Sequence, residues 1–193
     1  MSLGSRWERR RYRGDGMSEL AKMLIDLGAV KFGDFTLASG RKSKYYVDIK
    51  RASTDVRFLK LLAKEMARHA DGADRIAGIE LGAIPILVAL AVETGKPFVM
   101  VRKERKDHGT SKMLEGELKA GENVYFVEDV TTTAGTLMKG IEVVRQAGGK
   151  VARVLVIVDR EEGARENLLA MGVELVPMVR VSELLDKSAM PGC

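Results

Sequence analysis

From Met17 onward, apolar runs of strand length alternate with stretches whose apolar residues recur at helical spacing. In SELAKMLIDLGA, Leu20, Met23, Leu24 and Leu27 fall on one helix face, Ser18 suits the start and Gly28 the end. DFTLASGRKSKYYVDIK reads as two short extended pieces around a turn at Ser39–Gly40. Thr54 or Asp55 can cap a long helix running to about His69. The strand RIAGIE, a helix from near Ile84, the strand PFVMV, a polar loop and the strand VYFVEDV follow. A helix from about Gly135, the strand VARVLVIVD, a helix through ARENLLAMG, the strand VELVPMV and a terminal turn SELLDK complete the order.

Unbroken apolar strands separated by helices predict an α/β fold, a mostly parallel sheet with helices on both faces. Ligands in such sheets bind outside the carboxyl ends of the strands. That rule gathers the loops after Glu80, Val101, Asp129 and Asp159 around one crevice. The length of 193 residues fits one domain, expected over 17–193.

Composition narrows the chemistry. The sole cysteine is Cys193, so neither a disulfide framework nor an internal thiol nucleophile is expected. His69 and His108 lie far apart, with no Cys/His cluster for zinc. No apolar run spans a bilayer and no secretory leader is evident, so a cytoplasmic protein without membrane contact is expected. Walker and dinucleotide fingerprints are absent. The net charge is +5, but residues 1–16 hold five arginines against Glu8 and Asp15, which accounts for three of those charges. The basicity belongs largely to this segment, read as a disordered or appended tail, and nucleic acid is not an expected partner.

Candidate chemistry concentrates in VYFVEDVTTTAGT, Val124 to Thr136. A buried strand delivers Glu128 and Asp129 to its carboxyl end, and a loop of small hydroxylated residues then opens a helix. The first amides of a helix lack intrahelical partners and form an anion site, to which threonine hydroxyls add donors. Acids beside a phosphate cradle suit a sugar phosphate. A second segment, VRKERKDHGTSKMLEGEL, packs Arg102, Lys103, Arg105 and Lys106 together, with His108 close behind. Such a loop is costly to order without an anion and suits a polyphosphate. IELGAIPI, Ile79 to Ile86, can present backbone amides, and Arg160 ends the strand after the signature helix.

The Val124–Thr136 stretch resembles the signature of type I phosphoribosyltransferases, and RKERKDHG with FTLASGRKS resembles the orotate enzymes of that family. The likeness runs from about Ser18 to Val181 and is closer to the archaeal branch. It implies that residues 17–50 contribute a small N-terminal hood over the base. It implies that phosphoribosyl pyrophosphate (PRPP) is held by Arg102, Lys103, Lys106, His108 and Glu128, Asp129, Val130, Thr131, Thr132, Thr133, Ala134, Gly135 and Thr136. Orotate would meet Thr132, Arg160 and the backbone of Tyr46 and Val47. Lys106, His108, Glu128 and Asp129 would carry catalysis. The cofactor implied is Mg2+, held by substrate oxygens and water with no protein metal ligand. The assembly implied is a homodimer sharing the cationic loop across its interface. Three positions depart from the family pattern. Ala38 and Gly82 stand where many members have lysine, and Ala134 where glycine is frequent. If the backbone there takes positive φ, alanine is disfavoured. Two alternatives stay open on the same fold: a purine or uracil salvage phosphoribosyltransferase, and a PRPP-sensing nucleic-acid-binding regulator.

Overall fold

The computed structural model describes residues 17–36, 42–104 and 112–185. Its centre is a six-stranded sheet. The strands are β3 (Arg75–Ile79), β4 (Phe98–Val101), β5 (Leu114–Glu115), β6 (Asn123–Thr131), β7 (Lys150–Asp159) and β8 (Glu174–Arg180), ordered β5-β4-β3-β6-β7-β8. All neighbours are parallel except β4 and β5, so the predicted parallel sheet gains a short antiparallel edge. Sequence reading missed β5 because two residues carry no periodicity.

Helices cover both faces, as the strand pattern predicts. One face receives α1 (Glu19–Asp26), α3 (Val56–Ala67) and α4 (Ile84–Thr94), whose Leu24, Phe58, Leu62, Met66, Leu87 and Leu90 pack on Ile76, Val127, Leu155 and Val176. The other receives α5 (Gly135–Gln146) and α6 (Ala164–Ala170), whose Leu137, Ile141, Val144 and Leu168 pack on Ala77, Val99, Phe126 and Val154. Adjacent residues of one strand thus serve opposite layers, which is why the strands read as continuous apolar runs. Each side chain of this size, fully buried, contributes about 1.5–3 kcal/mol.

The caps follow the sequence. Ser18 Oγ accepts from Ala21 N at 3.2 Å at the start of α1, and Gly28 takes φ +65° beyond its end. Of the two candidates for α3, Asp55 is the cap, accepting from Arg57 N and Phe58 N; Thr54 donates instead to Arg51 O. A short helix, α2 (Ile49–Ala52), was not foreseen. It joins the core to a hairpin of β1 (Val30–Thr36) and β2 (Lys42–Val47), the two extended pieces expected of the hood. The turn expected at Ser39–Gly40 and the residue Ala38 lie outside the described residues.

After β3 the chain turns to β4 on one side, and β6 then lies on the other side of β3. This reversal opens a crevice outside the carboxyl ends of β3 and β6.

Candidate active site

A cavity of about 650 Å³ fills that crevice. The β3–α4 turn contributes Glu80, Leu81 and Gly82; the end of β6 contributes Glu128, Asp129 and Val130. Lys103 and Glu104 reach in from the segment after β4, Thr136 from α5, and Lys50 from α2. A smaller cavity of about 210 Å³ adjoins it, formed by Glu128, Val130 and the loop Thr131–Leu137. The acid pair stands where the two meet.

Burial and the charge of Asp129 push the Glu128 carboxyl up to about 8, so it holds its proton at neutral pH. Two local contacts fix the pair: Asp129 N donates to Glu128 Oε1 at 3.0 Å, and Val130 N to Asp129 Oδ1 at 2.7 Å. Across the crevice, Gly82 lies hard against Asp129. A Cβ at Gly82 would sit 2.9 Å from Asp129 Cγ, so the position admits no side chain without displacing the carboxylate. This accounts for glycine where lysine is frequent in the family.

The smaller cavity matches the expected phosphate cradle. At the start of α5 no side chain caps the helix, and among the described residues the amides of Gly135, Thr136 and Leu137 have no backbone acceptor. Thr133 and Thr136 are exposed to it and Thr132 is half-buried. Ala134 takes φ +64°, ψ +17°, the left-handed conformation that alanine disfavours, so the departure noted in the sequence is real strain. Asn167, from α6, donates Nδ2 to Thr133 O at 3.0 Å and pins the loop. Nothing in its sequence context marks it. Thr131 differs from expectation: it is 2% exposed, and its hydroxyl donates inward to buried Asp159 at 3.3 Å. Its hydroxyl therefore supports the loop from below.

The β3–α4 turn is less generous than a bare helix start. Ile84 N is taken by Leu81 O at 3.1 Å, and Pro85 has no amide. The amides of Leu81, Gly82 and Ala83 find no backbone acceptor among the described residues, so the turn, whose Glu80–Leu81 peptide is cis, carries what donors there are.

The cationic segment is only partly described: Arg105, Lys106 and His108 lie outside the described residues. Lys103 enters the crevice, and its amide donates to Glu80 Oε1 at 3.1 Å. Arg102 does not line the crevice; its Nε donates to Glu115 Oε1 at 2.8 Å across the β4–β5 edge.

Arg160 continues from β7, its amide bonded to Thr131 O at 3.0 Å. Its guanidinium is 13% exposed and pairs with Glu162 at 2.9 Å, and it lies 5.2 Å from the centroid of the Tyr45 ring. Its Nε is buried with no hydrogen-bond partner among the described residues. The hood side chain that meets Arg160 is thus Tyr45. Its neighbour Tyr46 faces the other way, 44% exposed against Phe35, as strand alternation requires. Val47 packs against the core.

This geometry is that of a phosphoribosyltransferase. The model of the phosphoribosyl transferase domain matches residues 49–170. An orotate phosphoribosyltransferase from Thermococcus kodakarensis is 50% identical over 181 residues, covering 92% of this chain and 97% of its own length. The crystal structure of an orotate phosphoribosyltransferase from Aeropyrum pernix superposes with a TM-score of 0.80 at 38% identity, covering 90% of this chain and 99% of its own. A Mycobacterium tuberculosis orotate phosphoribosyltransferase, solved in complex with PRPP, gives 0.72 at 31% identity, covering 89% and 99%. The chain belongs to the orotate phosphoribosyltransferase family.

Proposed function

We propose that this chain transfers the phosphoribosyl group of PRPP to orotate, giving orotidine 5′-monophosphate and pyrophosphate in de novo pyrimidine synthesis. One observation carries the reading: an acid pair stands between two amide-bearing turns, with a buried Arg160 donor beside the hood that is unsatisfied among the described residues.

PRPP fits with its 5′-phosphate on the amides of Gly135–Leu137 and the hydroxyls of Thr132, Thr133 and Thr136. Its ribose hydroxyls meet the acids, Asp129 accepting and protonated Glu128 able to donate. Its diphosphate extends into the larger cavity toward Lys103. The C1–O bond to pyrophosphate breaks as N1 of orotate attacks C1 from the opposite side with inversion; the bond electrons leave with pyrophosphate, and the N1 proton is released to the pyrophosphate oxygens or water. No covalent enzyme intermediate is needed. Asp129 stabilises the positive charge that develops on the ribose, neutral Glu128 holds the ribose hydroxyls, and Lys103, Lys106 and His108 balance the departing oxygens. The Arg160 fork receives the orotate carboxylate, for which its unpaired Nε is suited.

Among the described residues no group of three or more His, Cys, Asp or Glu is placed to hold a metal. The donor set fits Mg2+ brought in on PRPP oxygens and water; Asp129 would be the acid available to help hold that hydrated ion. When bound, the ion neutralises diphosphate charge.

We place the reaction in the cytoplasm; no described helix is long and apolar enough to cross a membrane. The active form is a homodimer in which the loop bearing Arg102, Lys106 and His108 serves the neighbouring subunit. The decisive assay is loss of orotate absorbance with PRPP and Mg2+; uracil and purines should be inert. Lys106→Ala and Asp129→Ala should each be nearly inactive, and mixing them should restore part of the activity through hybrid dimers. No restoration despite subunit exchange would rule out action in trans.

A further inference from the structure

Six charged side chains line the larger cavity: four acids, Glu80, Glu104, Glu128 and Asp129, and two cations, Lys50 and Lys103, among the described residues. A diphosphate there needs more positive charge than Lys103 supplies, and the nearest turn cannot provide it, because Gly82 admits no side chain.

Lys50 is held in position to do so. Helix α2 is anchored by Ile49 and Ala52, 2% and 0% exposed, and packs against β6. The next residue, Arg51, turns away and donates Nε to Leu27 O at 2.8 Å. With its neighbours fixed on two sides, α2 directs Lys50 to the crevice. There Lys50 is exposed and makes no hydrogen bond or ion pair with any described residue, although acids line the same cavity. Its ammonium is available to an anion.

We propose that Lys50 binds the diphosphate of PRPP and the pyrophosphate product, supplying from the hood–core junction the cation that the β3–α4 turn lacks. The inference rests on the phosphoribosyl-transfer reading. Lys50 moves no proton; it acts as a point charge with three donors on the phosphate oxygens.

The test uses the full chain with Lys50→Ala, Lys50→Arg and, as a distant exposed control, Lys60→Ala. Lys50→Ala should raise the KM for PRPP and the inhibition constant for pyrophosphate about tenfold, the size of one charge-assisted hydrogen bond. The KM for orotate should change less than twofold, Lys50→Arg should recover most of the loss, and Lys60→Ala should match wild type. Unchanged PRPP and pyrophosphate constants in Lys50→Ala would overturn the proposal. So would a fall in kcat alone that arginine fails to rescue, since that marks a structural role. A wild-type protein inert toward orotate and PRPP would sink the reaction reading instead. Calorimetric titration of pyrophosphate into wild type and Lys50→Ala would then still decide the role of Lys50, equal affinity refuting it.

Discussion

Two strand-to-helix turns face each other across Asp129, and they are built differently. The β6–α5 turn is self-sufficient: acids, hydroxyls and open helix amides lie within one continuous stretch, Glu128 to Leu137. The β3–α4 turn has no hydroxyl, no cation and a helix start blunted by Pro85, so its half of the site is assembled from α2 and the segment after β4. A compact dianion such as a 5′-phosphate can be bound by one local motif. A larger, more flexible diphosphate takes ligands from several elements.

Asp129 belongs to both halves, so changing it should have the largest effect. Asp129→Asn keeps the shape but removes the charge facing the ribose, and kcat should fall about a hundredfold or more. Steady-state orotate consumption measures this, and a loss below tenfold would separate the acid from the chemistry. Gly82→Ala acts from the assembled half on the shared acid. Its Cβ would displace the Asp129 carboxylate, and a shift near 1 Å can cost up to about a hundredfold. The KM for PRPP should rise, while binding of inorganic phosphate, which needs only the amides and hydroxyls of the other turn, should weaken less.

Glu128 gives a pH signature. Its pKa is raised in the fold, so its contribution to stability is full below the ordinary value of 4.5 and is lost as pH rises through about 8. The melting temperature of the free protein should therefore decline more steeply between about pH 5 and 8 than that of Glu128→Gln. Parallel curves for the two proteins would contradict the assignment. The smallest effect concerns the self-sufficient turn. Ala134→Gly relieves the left-handed alanine and should gain up to about 1 kcal/mol, a rise of about 2–4 °C in Tm. A lower Tm would mean that chain entropy outweighs the strain.

The same contrast explains what could be read from the sequence. The β6–α5 turn is legible because its ligands are consecutive and its strand and helix are strongly periodic. The mostly parallel sheet, its two helical faces and the crevice followed from alternating apolar runs. Lys50 was not legible, since a four-residue helix leaves no pattern and its role exists only through packing against β6. Asn167 likewise acts through a carbonyl 34 positions away. Strand phase separated Tyr45 from Tyr46, and only the pairing register resolves it. The inward hydroxyl of Thr131 and the Arg102–Glu115 pair reflect partners that spacing alone does not name.

The Tyr45–Arg160 stack has a consequence for acceptor choice. If Arg160 receives the base as proposed, a base bearing a carboxylate answers a buried donor that has no partner among the described residues, beside Tyr45 of the hood. A base lacking that group leaves the donor stranded, a situation in which polar sites reject analogues by about 10⁴–10⁵. On that reading discrimination against uracil needs no steric gate: the unsatisfied donor stands before the base arrives, and a carboxylate satisfies it.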